Sequence, residues 1–297
     1  MTNVLNIDAV DRSFGDRQVL KDVSFAVESG RLTGFVGANG AGKTTTMRII
    51  LGVIAPDAGS LSWHGAPLTR EVRQRFGYMP EERGLYPKMT VADQIVYLGR
   101  LHGLSGTDAR RRTGELLDRL ELGERAGDRV EKLSLGNQQR VQIAASLVHD
   151  PELLVLDEPF SGLDPLAVDT VLAVLRERAA AGTAVLFSSH QLDLVERLCD
   201  DLVIIAGGTV RAAGSRSSLR ARHTRPRYTV EVDADAGWLR DEPGVTLVDL
   251  DGRRAVVELD EGADDQLILK AALARGPVRA FAPVQPSLAE IFREVIR

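Results

Sequence analysis

The clearest chemistry in this sequence lies in Gly37-Ala38-Asn39-Gly40-Ala41-Gly42-Lys43-Thr44. The run fits G-x-x-x-x-G-K-[ST], a spacing in which glycines let the backbone wrap until successive N–H groups face an anion. Lys43 is placed to reach the β- and γ-phosphates of a nucleotide, and the Thr44 hydroxyl suits Mg²⁺. The context agrees: an apolar run through Phe35 and Val36 reads as a strand, and Met47, Ile50 and Leu51 read as one face of a helix. That helix would offer its positive N-terminal end to phosphate. A second centre is Leu153-Leu154-Val155-Leu156-Asp157-Glu158, where a buried-type strand delivers two carboxylates to its C-terminal end. Ligands bind at such ends in parallel sheets. Asp157 is placed to hold Mg²⁺, and Glu158 to orient or deprotonate an attacking water.

These residues need a scaffold, and the rest of the chain supplies the pattern for one. Val4, Leu5 and Ile7 begin one strand, and Val23, Phe25 and Val27 alternate in another. The stretch at about 88–150 reads mostly helical. ELLVLDEP and AVLFSSH read as buried strands, AVDTVLAVLRERAAAG as a helix stopped at Gly182, and QLDLVERLCD as a further helix. Strand–helix alternation predicts a parallel sheet with crossover helices. After about residue 210 the composition shifts. Arg211, Arg216, Arg220, Arg222, Arg225 and Arg227 fall in an acid-free stretch that reads as a linker, open either to solvent, to pairing with the acids that follow, or to an anionic surface. Beyond it lie the strand-like runs YTVEV and RAVVEL, a helix at Gln266–Ala274 and a last helix at Ser287–Ile296. The expected boundaries are 1–215 for the nucleotide-binding unit and 216–297 for a small α+β appendage.

Composition narrows the function classes. The 297 residues carry 37 Lys+Arg against 42 Asp+Glu, a formal charge of −5, which argues against a nucleic-acid binder. The one cysteine, Cys199, excludes an internal disulfide framework and reads as a small buried apolar residue. No apolar run approaches the roughly 20 residues that span a bilayer, and the N-terminus lacks the apolar stretch of a secretory signal. The expected location is cytoplasmic, with any membrane role exercised through another protein.

The string Leu133-Ser134-Leu135-Gly136-Asn137-Gln138-Gln139-Arg140 resembles the signature motif of the ABC (ATP-binding cassette) family, usually LSGGQ ahead of a helix. The resemblance covers about residues 1–215. It extends to motif order: phosphate loop, signature, carboxylate strand, Ser161-Gly162-Leu163-Asp164, then His190. It implies ATP and Mg²⁺ as ligands and an α/β core with a helical subdomain. Phe14 matches the aromatic that stacks on adenine. Gly37, Asn39, Gly40, Ala41, Gly42, Lys43, Thr44 and Thr45 match the phosphate contacts. Ser134, Gly136 and Asn137 match the signature that meets a nucleotide held by the other subunit. Asp164 matches the loop linking two sites across a dimer, and His190 the histidine that contacts the γ-phosphate. Glu158, His190 and Lys43 would then carry catalysis, with Thr44, Glu81 and Asp157 around the metal.

Three positions depart from the family pattern: Leu135 for the first signature glycine, Asn137 for the glutamine, and Glu81 for a glutamine that helps coordinate Mg²⁺ and touches the membrane partner. The run EERGLYPKMTV, with LSLGNQQR and the appendage, resembles a bacterial branch of drug-, sodium- or polysaccharide-type export ATPases whose membrane subunit is a separate chain. The resemblance thus implies an integral-membrane permease as partner, a homodimer of the ATPase, and a place on the cytoplasmic face of the membrane. A cassette ATPase of DNA repair or translation is the alternative, as is a non-hydrolytic ATP-binding module. The first usually carries long heptads or two cassettes, and neither pattern is in the sequence. Intact Lys43, Asp157, Glu158 and His190 weigh against the second.

Overall fold

β1 (Asn3–Phe14) and β2 (Arg17–Glu28) pair antiparallel, and Leu5, Ile7, Val23, Phe25 and Val27 turn inward and are buried, as a period of two requires. The computed structural model describes residues 3–82, 84–223, 225–260, 262–284, 290–292 and 295. By its internal contacts the chain divides into two units, Met1–Arg216 and Ser217–Arg297.

In the first unit β3 (Leu32–Val36) is buried along its whole length and leads through the glycine-rich loop into α1 (Lys43–Ile50). β4 (Ala58–Trp63) and β5 (Ala66–Pro67) return to β1 and complete an antiparallel sheet ordered β2-β1-β4-β5. The strand–helix rhythm did not foretell this sheet, because its strands pair antiparallel, β4 returning to β1 after β3 and α1 have been given to the central sheet. α2 (Arg70–Arg73) and β6 (Phe76–Met79) come next.

Three helices then follow: α3 (Val91–Leu101), α4 (Gly106–Arg119) and α5 (Leu135–Leu147). Each begins after a hydroxyl residue, Thr90, Ser105 and Ser134, whose oxygen accepts a backbone N–H of the first turn. Such caps satisfy donors that the helix itself cannot. The chain continues through β7 (Leu153–Leu156), α6 (Pro165–Ala180), β8 (Ala184–Ser189), α7 (Leu192–Leu198), β9 (Asp201–Ala206) and β10 (Thr209–Ser215). The central sheet runs β10-β9-β3-β8-β7-β6, parallel except for β10. Its inner strands β3, β7 and β8 are buried throughout, which explains their unbroken apolar runs.

The stretch read as a basic linker begins in β10, which holds Arg211, continues as the helix α8 (Arg216–His223) and ends at Arg227, the first residue of the next strand. The second unit then holds β11 (Arg227–Val232), β12 (Val245–Asp251), β13 (Arg254–Leu259), α9 (Asp265–Arg275) and β14 (Val278–Val284), with a short helical turn at Ala236–Arg240. The order β12-β13-β11-β14, antiparallel throughout, is the split β-α-β arrangement. Its core gathers Val230, Val257, Leu259, Leu239 and Ile268. Arg225 pairs with Asp260 at 3.5 Å, and Arg227 with Glu258 at 2.9 Å and with Glu290. Those arginines answer the acids of their own unit. β12 and β14 are additional to the expected strands. β14 carries Pro283, which weakens a strand pattern and is tolerated at a sheet edge. Of the helix expected over Ser287–Ile296, residues 290–292 and 295 are helical, and the remainder lies outside the described residues.

Candidate functional site

Four loops leave the C-terminal ends of neighbouring parallel strands and converge. The loop 37–42 follows β3, Glu81 follows β6, Asp157 and Glu158 follow β7, and His190 follows β8. Register places them: Met79 lies beside Leu156, and Leu156 beside Phe187. The chain therefore carries its acids to one edge of one sheet, outside the strand ends where ligands settle.

The cleft there measures about 360 Å³ and is lined by Phe14, Arg17, Val19, Asn39, Gly40, Gly42, Lys43, Thr44, Thr45, Glu81, Asp157 and Glu158. Gly42 precedes α1 at φ 112°, a left-handed conformation, and a Cβ there would come within 2.5 Å of Leu20 Cδ2. Both facts demand glycine. Lys43 is buried and donates from Nζ to Gly37 O at 2.7 Å and Ala38 O at 3.4 Å. Ala41 N bonds Ala38 O at 3.1 Å, closing the loop on itself. Phe14 stays 46% exposed, with the Arg12 guanidinium 4.9 Å from its ring centre. An exposed aromatic at a cleft mouth is free to stack on a ring.

Thr44 Oγ1 donates to Asp157 Oδ2 at 2.8 Å. Asp157 and Glu158 are both buried. Glu158 stands at φ 52°, a left-handed backbone that costs a side-chain-bearing residue about 1–2 kcal/mol. His190 Nδ1 lies 3.0 Å from Glu158 Oε1. A carboxylate oxygen that accepts this bond takes it from Nδ1–H, and Nε2 can donate to an anionic ligand only where it too carries a proton. Beside the cleft, burial and the charge of Asp157 push the Tyr78 phenol above its ordinary range.

Ser134, Gly136 and Asn137 stand outside this cleft, at the start of α5. Ser134 Oγ accepts from Asn137 N at 3.3 Å, and Asn137 Oδ1 accepts from Arg140 at 2.5 Å. Leu135 is exposed, and a Cβ on Gly136 would meet Gly162 O at 3.3 Å. Asp164 caps α6, accepting from Ala167 N at 2.9 Å.

The structure adds residues that the motifs did not single out. Ser188 Oγ donates to Asp157 Oδ1 and accepts from Glu158 N at 2.8 Å. Gln139 Nε2 donates to Glu158 O at 2.9 Å. Arg17 and Val19 line the cleft. Ser188 had a signal, since it sits two positions before His190 at the strand period. A larger hollow of about 760 Å³ lies between α3 and α4, beside Tyr97 and Leu117, but none of the motif residues lines it. Chemistry, and not volume, selects the strand-end cleft.

Mg²⁺ fits the donors present. A hydroxyl and a carboxylate already meet at Thr44 and Asp157, with Glu81 lining the same cleft. Among the described residues no group of three or more His, Cys, Asp or Glu forms a metal cage. Mg²⁺ commonly takes one or two protein oxygens and completes its shell with phosphate and water.

Comparison with known proteins agrees with this geometry. Residues 20–161 match the family model described as "ABC transporter", and residues 214–296 match "ATP-binding protein DrrA1-3-like, C-terminal domain". The chain is 37% identical to the uncharacterised ABC transporter ATP-binding protein YhaQ of Bacillus subtilis (strain 168), over 99% of this chain and 98% of the relative. It is 37% identical to the Nod factor export ATP-binding protein I of Paraburkholderia xenovorans (strain LB400), over 80% and 79%. A solved structure described as the ATP-binding subunit of an ABC transporter superposes with a TM-score of 0.69 at 35% identity, covering 74% of this chain and 92% of that one.

Proposed function

The chain belongs to the ABC transporter family as an ATP-binding subunit that hydrolyses ATP to power transport, and from that premise we propose that it energises an exporter as a homodimer docked on a separate integral-membrane permease. The observation that carries the reading is the convergence of Lys43, Thr44, Asp157, Glu158 and His190 at one sheet edge, with the signature residues outside the cleft. A signature that does not reach its own nucleotide is free to close on the one held by a second copy. Similarity to a protein named for Nod factor export supports the direction. Among the described residues no helix is long and apolar enough to cross a membrane; membership of a family of transporter ATP-binding subunits supports a permeation path in the partner and a place for this subunit on the cytoplasmic face.

In the proposed cycle Phe14 stacks on the adenine, and the N–H groups of the loop, with α1 behind them, take the phosphates. The carbonyls that now hold Lys43 Nζ are neutral, and a phosphate oxygen competes for it with a full charge. Thr44 and Asp157 would hold Mg²⁺, with Glu81 beside them, and the ion when bound would supply charge stabilisation at the phosphoryl oxygens. Glu158 takes the proton of the attacking water, and His190 orients that carboxylate through Nδ1–H and, with a proton on Nε2 as well, donates to a γ-phosphate oxygen. Ser134, Gly136 and Asn137 of one copy cover the nucleotide of the other, so binding closes the dimer and hydrolysis reopens it. Residues 1–215 carry this chemistry, with 88–150 as the helical subdomain, and 216–297 tunes dimer contact or regulation.

Two measurements test the reading. Glu158→Gln keeps the shape and removes the base, so it should bind ATP, form a stable dimer by light scattering and lose about 10²-fold or more in turnover. Purification from native membranes should recover an integral-membrane partner. Near-normal turnover sinks the base assignment. Recovery of the chain with nucleic acid or ribosomes and no membrane protein favours the soluble-ATPase alternative.

A further inference from the structure

Helix α5 carries two buried glutamines a turn apart, Gln139 and Gln142, on the face turned to the cleft loops. Gln139 Nε2 donates to Glu158 O at 2.9 Å and to Pro159 O at 3.1 Å. Ser188 Oγ, from β8, accepts the N–H of the same glutamate at 2.8 Å. The peptide groups on both sides of the Glu158 Cα are therefore held by different elements. That backbone is left-handed, at φ 52°, and such a conformation persists where its surroundings over-determine it. Gln142 makes weaker contacts of 3.4 and 3.5 Å to the carbonyls of Pro80 and Glu82, on either side of Glu81.

We propose that Gln139 is a positioning residue for ATP hydrolysis: its amide clamps the Glu158–Pro159 backbone so that the aim of the Glu158 carboxylate depends on the seat of α5. The proposal rests on the reading of Glu158 as the base. Its consequence follows from the helix. Ser134 caps α5 and Gln139 lies little more than one turn on, within a rigid rod of hydrogen-bonded backbone. A load on the signature end is thus delivered to the base of the same chain, and that base serves the other nucleotide of a dimer. Occupancy of one composite site then sets the geometry of the second.

Gln139→Met, nearly the same length but without a donor, tests this in the full chain. Turnover and ATP affinity are measured together, the latter with a fluorescent ATP analogue. We expect kcat to fall about tenfold or more, with affinity within about twofold of wild type, because loop and α1 are untouched. Gln139→Lys, which keeps an N–H donor, should recover part of the loss. A merely packing role would lower affinity and thermal midpoint together and would give no recovery with Lys. Gln139→Asn, which keeps the amide but falls one methylene short, replaces Met if that variant does not fold, with the same loss expected. Glu158→Gln is run beside them. If it is inactive while Gln139→Met turns over within about twofold of wild type, the Gln139 proposal fails alone. If Glu158→Gln is active, the base assignment fails and takes this proposal with it.

Discussion

Thr44 Oγ1 donates a 2.8 Å hydrogen bond to Asp157 Oδ2, joining the first turn of α1 to the end of β7 across 113 positions of chain. The contact sets two hard oxygens side by side. Asp157→Asn keeps the volume and removes the charge, so the Mg²⁺ concentration for half-maximal ATPase should rise about 10- to 100-fold. Ser188→Ala frees the second Asp157 oxygen and the Glu158 N–H, and should give a smaller rise with a drop in kcat. Mg²⁺ titrations of both variants check this; unchanged curves would remove Asp157 from the metal.

The separation of signature and cleft predicts complementation. Lys43→Ala removes the cation facing the phosphates, and Ser134→Arg blocks the start of α5, so each alone should be inactive. A mixed dimer of the two retains one intact composite site. An equal mixture should therefore recover about a quarter of wild-type activity, half the dimers being mixed and each having one of two sites. Activity that stays proportional to concentration down to a strict monomer would contradict the dimer.

Glu81 lies exposed at the cleft wall, where the family pattern has glutamine. Glutamine is nearly isosteric but carries no charge and also donates. If the carboxylate contributes to the metal, Glu81→Gln should raise the Mg²⁺ requirement while the fold is unchanged, and Glu81→Ala should be worse. If it meets the permease, isolated ATPase should survive while coupled transport falls. Parallel titrations of ATPase and transport separate these, and wild-type behaviour of Glu81→Ala in both would discard each role.

A pH effect on stability should come from His149. Its ring stacks on His102 with centroids 3.7 Å apart, and Nε2 bonds Phe76 O at 3.1 Å. Burial, then the neighbouring His102, with a smaller push from Arg112, lower its pKa from 6.5 to about 4, against opposing pulls from Phe76 O and Asp150. The ring is neutral in folded and unfolded chains above about pH 6.5, so its contribution is whole there. As pH falls toward about 4 the unfolded chain takes up the proton first, and up to about 3 kcal/mol is lost. Urea unfolding at pH 7 and pH 5 should show the fall in wild type and a flatter profile in His149→Phe. An equal slope in both would assign the effect elsewhere.

What the sequence by itself determined is the chemistry carried by neighbours in the chain. The phosphate loop needs contiguous N–H groups with Lys43 and Thr44 directly behind them, and strand β7 needs only an apolar run ending in Asp157 and Glu158. Both are local, so spacing reveals them. The parallel core was legible for the same reason, through the unbroken apolar runs of β3, β7 and β8. Tertiary structure alone decided how those acids are held. Ser188 reaches Asp157 and Gln139 reaches Glu158 from other elements, 31 and 19 positions away. Period could place Ser188 beside His190 but could not say which carboxylate it would meet. The antiparallel sheet β2-β1-β4-β5, the helix in place of a linker at α8 and the split β-α-β order of the second unit were likewise decided by pairing. A strand's own residues state that it will pair, while its partner is chosen by which edges the folded chain leaves open.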